Sequence, residues 1–170
     1  QFTGGVVATA PSQVNLAGTI KATNSAISLG DSNTPIVLTA NTTVDGNTSG
    51  NITLGGTVNG AYALTLNTTG TTTLSSTVGN SAALTSITTN AGGTVVINGG
   101  AITTTGTQTY NDAATLGANT TLTTTSNGNV TFGSTLDSDA ALTPRALTLS
   151  MGTGTVQFNG VVGGTYALGA

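Results

Sequence analysis

Asn51-Ile-Thr-Leu-Gly-Gly-Thr-Val58 decides the fold, because the same unit returns along the chain. It reads as two or three β-prone residues, a large apolar residue and a small pair, then Thr or Val before another apolar residue. It recurs as Thr71-Thr-Thr-Leu-Ser-Ser-Thr-Val78, Asn129-Val-Thr-Phe-Gly-Ser-Thr-Leu136 and Thr155-Val-Gln-Phe-Asn-Gly-Val-Val162. Thr94-Val-Val-Ile-Asn-Gly-Gly-Ala-Ile102 is that unit with one extra residue, and Val14-Asn-Leu-Ala-Gly-Thr-Ile20 is a weaker copy. A second unit, seen in Ala63-Leu-Thr-Leu66, Ala83-Leu-Thr-Ser-Ile87 and Ala146-Leu-Thr-Leu149, precedes several of the first across Asn, Gly and Thr turn signals.

Side chains alternate faces along a strand, so each unit exposes one row and turns an apolar row inward. One turn of chain cannot bury that row alone, whereas stacked turns form a continuous aliphatic column. The large apolar anchors Leu54, Leu74, Ile97, Phe132 and Phe158 are separated by 20, 23, 35 and 26 residues. Three of those spacings suit one coil of a β-helix. The spacing of 35 does not, and residues 103–128 read either as an additional short coil or as an insertion. The expectation is an all-β parallel β-helix, a β-solenoid of roughly seven or eight coils. It forms a single domain over 1–170, less regular over 1–47 and clearly repetitive over 48–170.

Composition agrees. Charged residues make up 4% of the 170 residues, and the net charge is −3, against roughly 25% charge in an ordinary globular domain. Disordered segments combine low hydrophobicity with high net charge. This chain is 36% hydrophobic and nearly neutral, so it folds. Thr, Asn, Ser and Gly are poor helix formers, and Thr, Val and Ile suit a pleated surface.

The same inventory limits partners. Lys21 and Arg145 are the only basic residues. Nucleic-acid binding rests on several Lys and Arg neutralising phosphates, so no nucleic-acid partner is expected. A polybasic membrane patch is excluded likewise. No apolar run of about 18 residues exists, so no membrane-inserting helix is expected. A start at Gln1 with no hydrophobic leader reads as a processed or excised segment.

Catalysis needs an acid, base or nucleophile with a tuned pKa and a positioned partner. With no His, Cys or Glu, the candidates are Asp31, Asp45, Asp112, Asp137, Asp139, Lys21, Arg145, Tyr62, Tyr110 and Tyr166. Asp137 and Asp139 are the one close carboxylate pair. On a strand they share a face, where they suit a divalent cation or glycoside hydrolysis; against this stands a solvated loop, since Pro144 and Arg145 follow closely. The Gly-Gly-x-Gly-x-Asp calcium repeat is missing, and no glycine run has phosphate-loop context. The expectation is a non-enzyme with no cofactor and no metal site. Six Asn-x-Ser/Thr triplets, at Asn41, Asn47, Asn51, Asn67, Asn119 and Asn129, compare with about five expected by chance, and so carry no signal for glycosylation.

Thr-x-Thr places two threonines on one strand face, as in Thr71-Thr-Thr73, Thr103-Thr-Thr105, Thr107-Gln-Thr109 and Thr123-Thr-Thr125. Stacked on a flat solenoid face, such pairs suit ice or carbohydrate. Their irregular spacing along the chain, and the ordinary preference of Thr for exposed strands, weigh against that.

The ends also resemble one another. Gln1-Phe-Thr-Gly-Gly-Val-Val7 and Gln157-Phe-Asn-Gly-Val-Val162 differ by one insertion and one substitution, and neither carries a capping element. An open terminal coil is an unpaired strand edge. Gln1, Phe2, Val6, Val7, Tyr166 and Leu168 are therefore the expected end-to-end contacts, with further copies of the chain or adjacent repeats as partners.

Ala63-Leu-Thr-Leu-Asn-Thr-Thr-Gly-Thr-Thr-Thr-Leu74, Gly99-Gly-Ala-Ile-Thr-Thr-Thr-Gly-Thr-Gln-Thr-Tyr-Asn-Asp112 and Gly117-Ala-Asn-Thr-Thr-Leu122 resemble the β-strand repeats of large secreted bacterial proteins, in the filamentous-haemagglutinin and autotransporter-adhesin style. The resemblance covers roughly residues 48–170; residues 1–47, with Pro11 and Pro35, depart from it. It implies an exported right-handed β-helix with a structural or adhesive role at the bacterial surface, in a fibre, matrix filament or large adhesin, with surface glycans as further partners. The alternative is a pilin-like β-sandwich that polymerises by strand donation, residues 1–12 being the donor.

Overall fold

In a computed structural model, which describes residues 2–170, the chain is a β-solenoid of about seven turns with no helix among the described residues. Gln1 lies outside the described residues. Every strand pairing is parallel, which rules out the antiparallel layers of a pilin-like sandwich.

The strands, numbered in chain order, wrap around three faces. The first face is a seven-stranded sheet of β1 (Val6–Ala8), β3 (Ile27–Leu29), β5 (Ile52–Leu54), β8 (Thr71–Leu74), β10 (Thr94–Ile97), β13 (Ala113–Leu116) and β16 (Leu136–Ser138). The second face holds β6 (Val58–Asn59), β11 (Ala101–Thr104), β14 (Thr120–Thr124) and β17 (Leu147–Ser150), linked through isolated bridges at Val58, Val78 and Ile102. The third face carries β7 (Ala63–Thr68), β9 (Ser86–Thr89), β12 (Gln108–Tyr110), β15 (Val130–Phe132) and β18 (Val156–Phe158). The long strands β2 (Val14–Lys21) and β4 (Ile36–Asn47) run across the second and third faces, with a register shift between Leu16 and Gly18.

Burial follows the alternation. Strands β3, β5, β12 and β15 each bury their first and third residues and half-expose the middle one. Ile27, Ile52 and Val95 lie in one inner column, and Leu29, Leu54, Leu74, Ile97 and Leu116 in the next, every one of them buried. Thr72 interrupts the first column, and its hydroxyl is buried without a hydrogen-bond partner. Residues 1–47 are irregular in spacing, yet from Val6 onward they stack in the same register as the rest.

The spacing of 35 has a geometric cause. Leu54, Leu74 and Ile97 share a first-face column, whose next member is Leu116. Phe132 and Phe158 belong to a third-face column with Tyr110. A large apolar residue, a small pair and a β-prone residue occur at two different corners, so one motif marks two phases of the coil. Residues 103–128 are no insertion: β12, β13 and β14 pair with the coils before and after them.

Corners are closed by glycine and asparagine. At Gly56 a Cβ would run into the carbonyl of Thr34 one coil away, so only glycine lets the turns approach. The Oδ1 atoms of Asn41, Asn51, Asn119 and Asn129 accept the backbone N–H of Ala63, Thr71, Ala146 and Thr155, each one coil on, at 2.9–3.0 Å. These asparagines satisfy donors that the sheets leave unpaired where the chain bends.

Candidate functional site

Asp137 stands on the outer side of the first face, opposite Thr115, and its Oδ1 accepts the backbone N–H groups of Thr165 and Tyr166. Asp139 receives both Nε and Nη2 of Arg145, at 2.7 and 3.0 Å. That guanidinium holds the Asp139 carboxyl below the usual carboxylate range, and Arg145 is raised in turn. Both carboxylates therefore hold structure in place, one bracing the last coil and the other a corner.

Lys21 and Asp45 pair at 2.8 Å across adjacent coils. Burial works to raise the Asp45 carboxyl, but Lys21 and the Asn47 N–H outweigh it and hold it low. Asp31 is lowered by the Asn33 N–H and further hydrogen bonds. Among the described residues no group of three or more acidic or metal-ligating side chains converges, and no pocket opens.

Tyr110, Gln108 and Asp112 lie among the buried polar side chains. Tyr110 donates its hydroxyl to Gln108 Oε1 at 2.9 Å, and burial pushes its pKa far up. The Gln108 amide donates to the carbonyls of Ile102 and Thr123 and to the Thr104 hydroxyl. Asp112, also buried, accepts the Gly93 N–H at 2.8 Å on one oxygen, while the other has no partner. Burial raises its carboxyl, opposed by bonds from Gly93 and Thr89. These residues lock adjacent coils together.

The ends are different in kind. Of nine exposed large hydrophobic residues among those described, Phe2, Val7, Val156, Phe158, Val161, Val162 and Tyr166 lie on the terminal coils; Tyr62 and Leu142 do not. Tyr110, Phe132 and Phe158 form an aromatic stack with centroids 5.2 and 5.4 Å apart. Phe132 is buried, but Phe158, on the edge strand of that sheet, is 40% exposed. Of the expected core anchors, Leu54, Leu74, Ile97 and Phe132 are buried and Phe158 caps its column.

Of the expected end contacts, Phe2 is 52% and Val7 73% exposed, and Tyr166 is exposed. Val6 and Leu168 are half-buried against the core. Val6 and Val162 lie in one column at opposite ends of the first face, through the pairings of Val6 with Ile27 and of Leu136 with Val162. Sequence reasoning found the apolar ends from the Gln-Phe and Val-Val pairs. It missed the asparagine staples, whose only signal is Asn recurring at corners. No family model, curated protein or solved structure matches the chain in comparisons with known proteins.

Proposed function

We propose that this chain is a non-catalytic structural or adhesive module of an extracellular bacterial surface fibre, matrix filament or large adhesin. Its apolar terminal coils are the working surfaces. Each is covered by a further parallel coil, supplied by a neighbouring copy or by adjacent repeats, and the assembly grows as a rod.

The observation that carries this reading is the concentration of exposed apolar side chains on the two terminal coils. Exposed apolar surface that gathers in patches, instead of scattering singly, marks an interaction site. An open parallel edge adds a row of unpaired backbone groups that only another strand satisfies fully. Head-to-tail contact between two unlike ends is heterologous, and when its rotation does not close it produces a filament. Surface glycans are the proposed ligands of the adhesive form, as the sequence resemblance implies.

Microscopy of the native material tests the proposal: thin rods of uniform width are expected, and dispersed short particles would overturn it. A double substitution, Phe158→Asp with Val162→Asp, is expected to abolish rod growth while circular dichroism still reports β structure. Rods of unchanged length from that variant would show that the end coil is not the contact.

A further inference from the structure

We propose that the outer side of the third face binds the crystalline water lattice of ice. Thr19, Thr43, Thr65, Thr88, Thr109 and Thr131 stand opposite one another in one outward column through six successive coils, followed by Gln157. Along the chain these threonines are separated by 21 to 24 residues. Unequal corners absorb the differences, so an array that is irregular in sequence is regular in space.

A general preference of exposed strands for threonine does not account for the column. The corresponding column of the first face reads Val7, Ser28, Thr53, Thr73, Val96, Thr115 and Asp137. Only three of those seven are threonine, although the strand environment is the same. The third-face column is thus richer in threonine than its first-face counterpart, and longer than the Thr103–Thr123 and Thr121–Thr148 pairs of the second face.

None of the six hydroxyls makes a hydrogen bond within the chain, although some threonines elsewhere are engaged. Thr94 donates to Thr71 on the first face, and Thr39 and Thr105 bond carbonyls one coil away. The column therefore keeps six donors and their lone pairs for an outside partner. The charges beside it, Lys21 and Asp45, neutralise one another in an ion pair.

The partner must then be uncharged, periodic, and able both to donate and to accept at every repeat. Parallel strands place the threonines about 4.8 Å apart, close to the repeat of oxygen positions along an ice surface. β-branching stiffens χ1, so each methyl and hydroxyl holds its position in the array. Waters ordered at such fixed sites lose little further entropy on joining a crystal. A neutral glycan shares the hydrogen-bonding chemistry, but sugar rings gain much of their affinity by stacking on aromatic side chains, and this column has none.

The experiment uses the full chain and ice itself as the probe. Wild-type protein is expected to facet growing ice crystals and to lower their growth temperature below their melting temperature. Thr88→Lys, at the centre of the column, should reduce that gap several-fold. Thr53→Lys, on the first face, should leave it unchanged, with circular dichroism confirming that both variants fold. Unfaceted crystals with wild type, an equal loss in both variants, or retention on crystalline chitin or cellulose without adsorption to ice would each overturn the proposal. Thr88 and Thr53 are remote from the terminal coils, so this result is independent of rod growth.

Discussion

Tyr110 and Gln108 show how a solenoid of apolar columns accommodates a buried polar pair. The tyrosine hydroxyl supplies the only hydrogen bond described for Gln108 Oε1. Tyr110→Phe strands that oxygen in the core and is expected to cost about 1–3 kcal/mol in urea unfolding. Because the two side chains act as a unit, the Gln108→Leu/Tyr110→Phe double variant should lose less than the sum of the single losses.

The Asp112 carboxyl makes stability depend on pH. Burial raises its carboxyl in the folded chain above the unfolded value. The stabilisation linked to that shift is present in acid, where the group is protonated in both states, and fades as pH rises through the raised folded value. Asp31, Asp45 and Asp139 are lowered and act in the opposite sense. Their contribution is present above the ordinary carboxylate value and is lost as pH falls through their depressed ones. Asp112→Asn should therefore stabilise the chain relative to wild type at about pH 7 and much less at about pH 4. Denaturant midpoints at the two pH values check this, and an equal change at both would refute the assignment.

At the scale of single strands and corners, the coil was legible in the sequence and its phase was not. Ile52-Thr-Leu54 and Thr71-Thr-Thr-Leu74 announce their strands by alternation, and their parallel stacking follows from the repeat. The phase is hidden because Leu54-Gly-Gly-Thr-Val58 turns from the first face to the second, whereas Phe132-Gly-Ser-Thr-Leu136 turns from the third to the first. Local residue types are alike at both corners, and only pairing across coils tells them apart. The threonine array was hidden for the same reason: its members come into line only once corner lengths are known.

Corners also set which substitutions matter. Gly56→Ala drives a methyl into the Thr34 carbonyl of the adjacent coil, whereas a Cβ at Gly4 meets nothing within 4 Å. The first is expected to cost about 1–3 kcal/mol and the second almost nothing, as read from thermal melting. Within the aromatic stack, Phe132→Ala should cost about 3–5 kcal/mol, and Phe158→Ala clearly less, because one side of its ring already faces solvent.

For the whole molecule, stability is expected to grade along the axis. Each coil touches only its neighbours, so an inner coil gains two interfaces and a terminal coil one. In the unassembled chain, hydrogen exchange should be slowest in β8, β10 and β13 and fastest in β1 and β18, with opening that starts at the ends. Uniform exchange across all coils would contradict a stack of nearest-neighbour units.

Val95 pairs with Ala114, 19 residues on, and Val130 with Val156, 26 residues on; among the described residues nothing in the sheets joins distant parts of the chain. A polypeptide released in order, from a ribosome or through a pore, thus finds the docking edge for each new turn already built behind it. Folding releases its free energy in instalments as the thread emerges, and a folded turn cannot slip back.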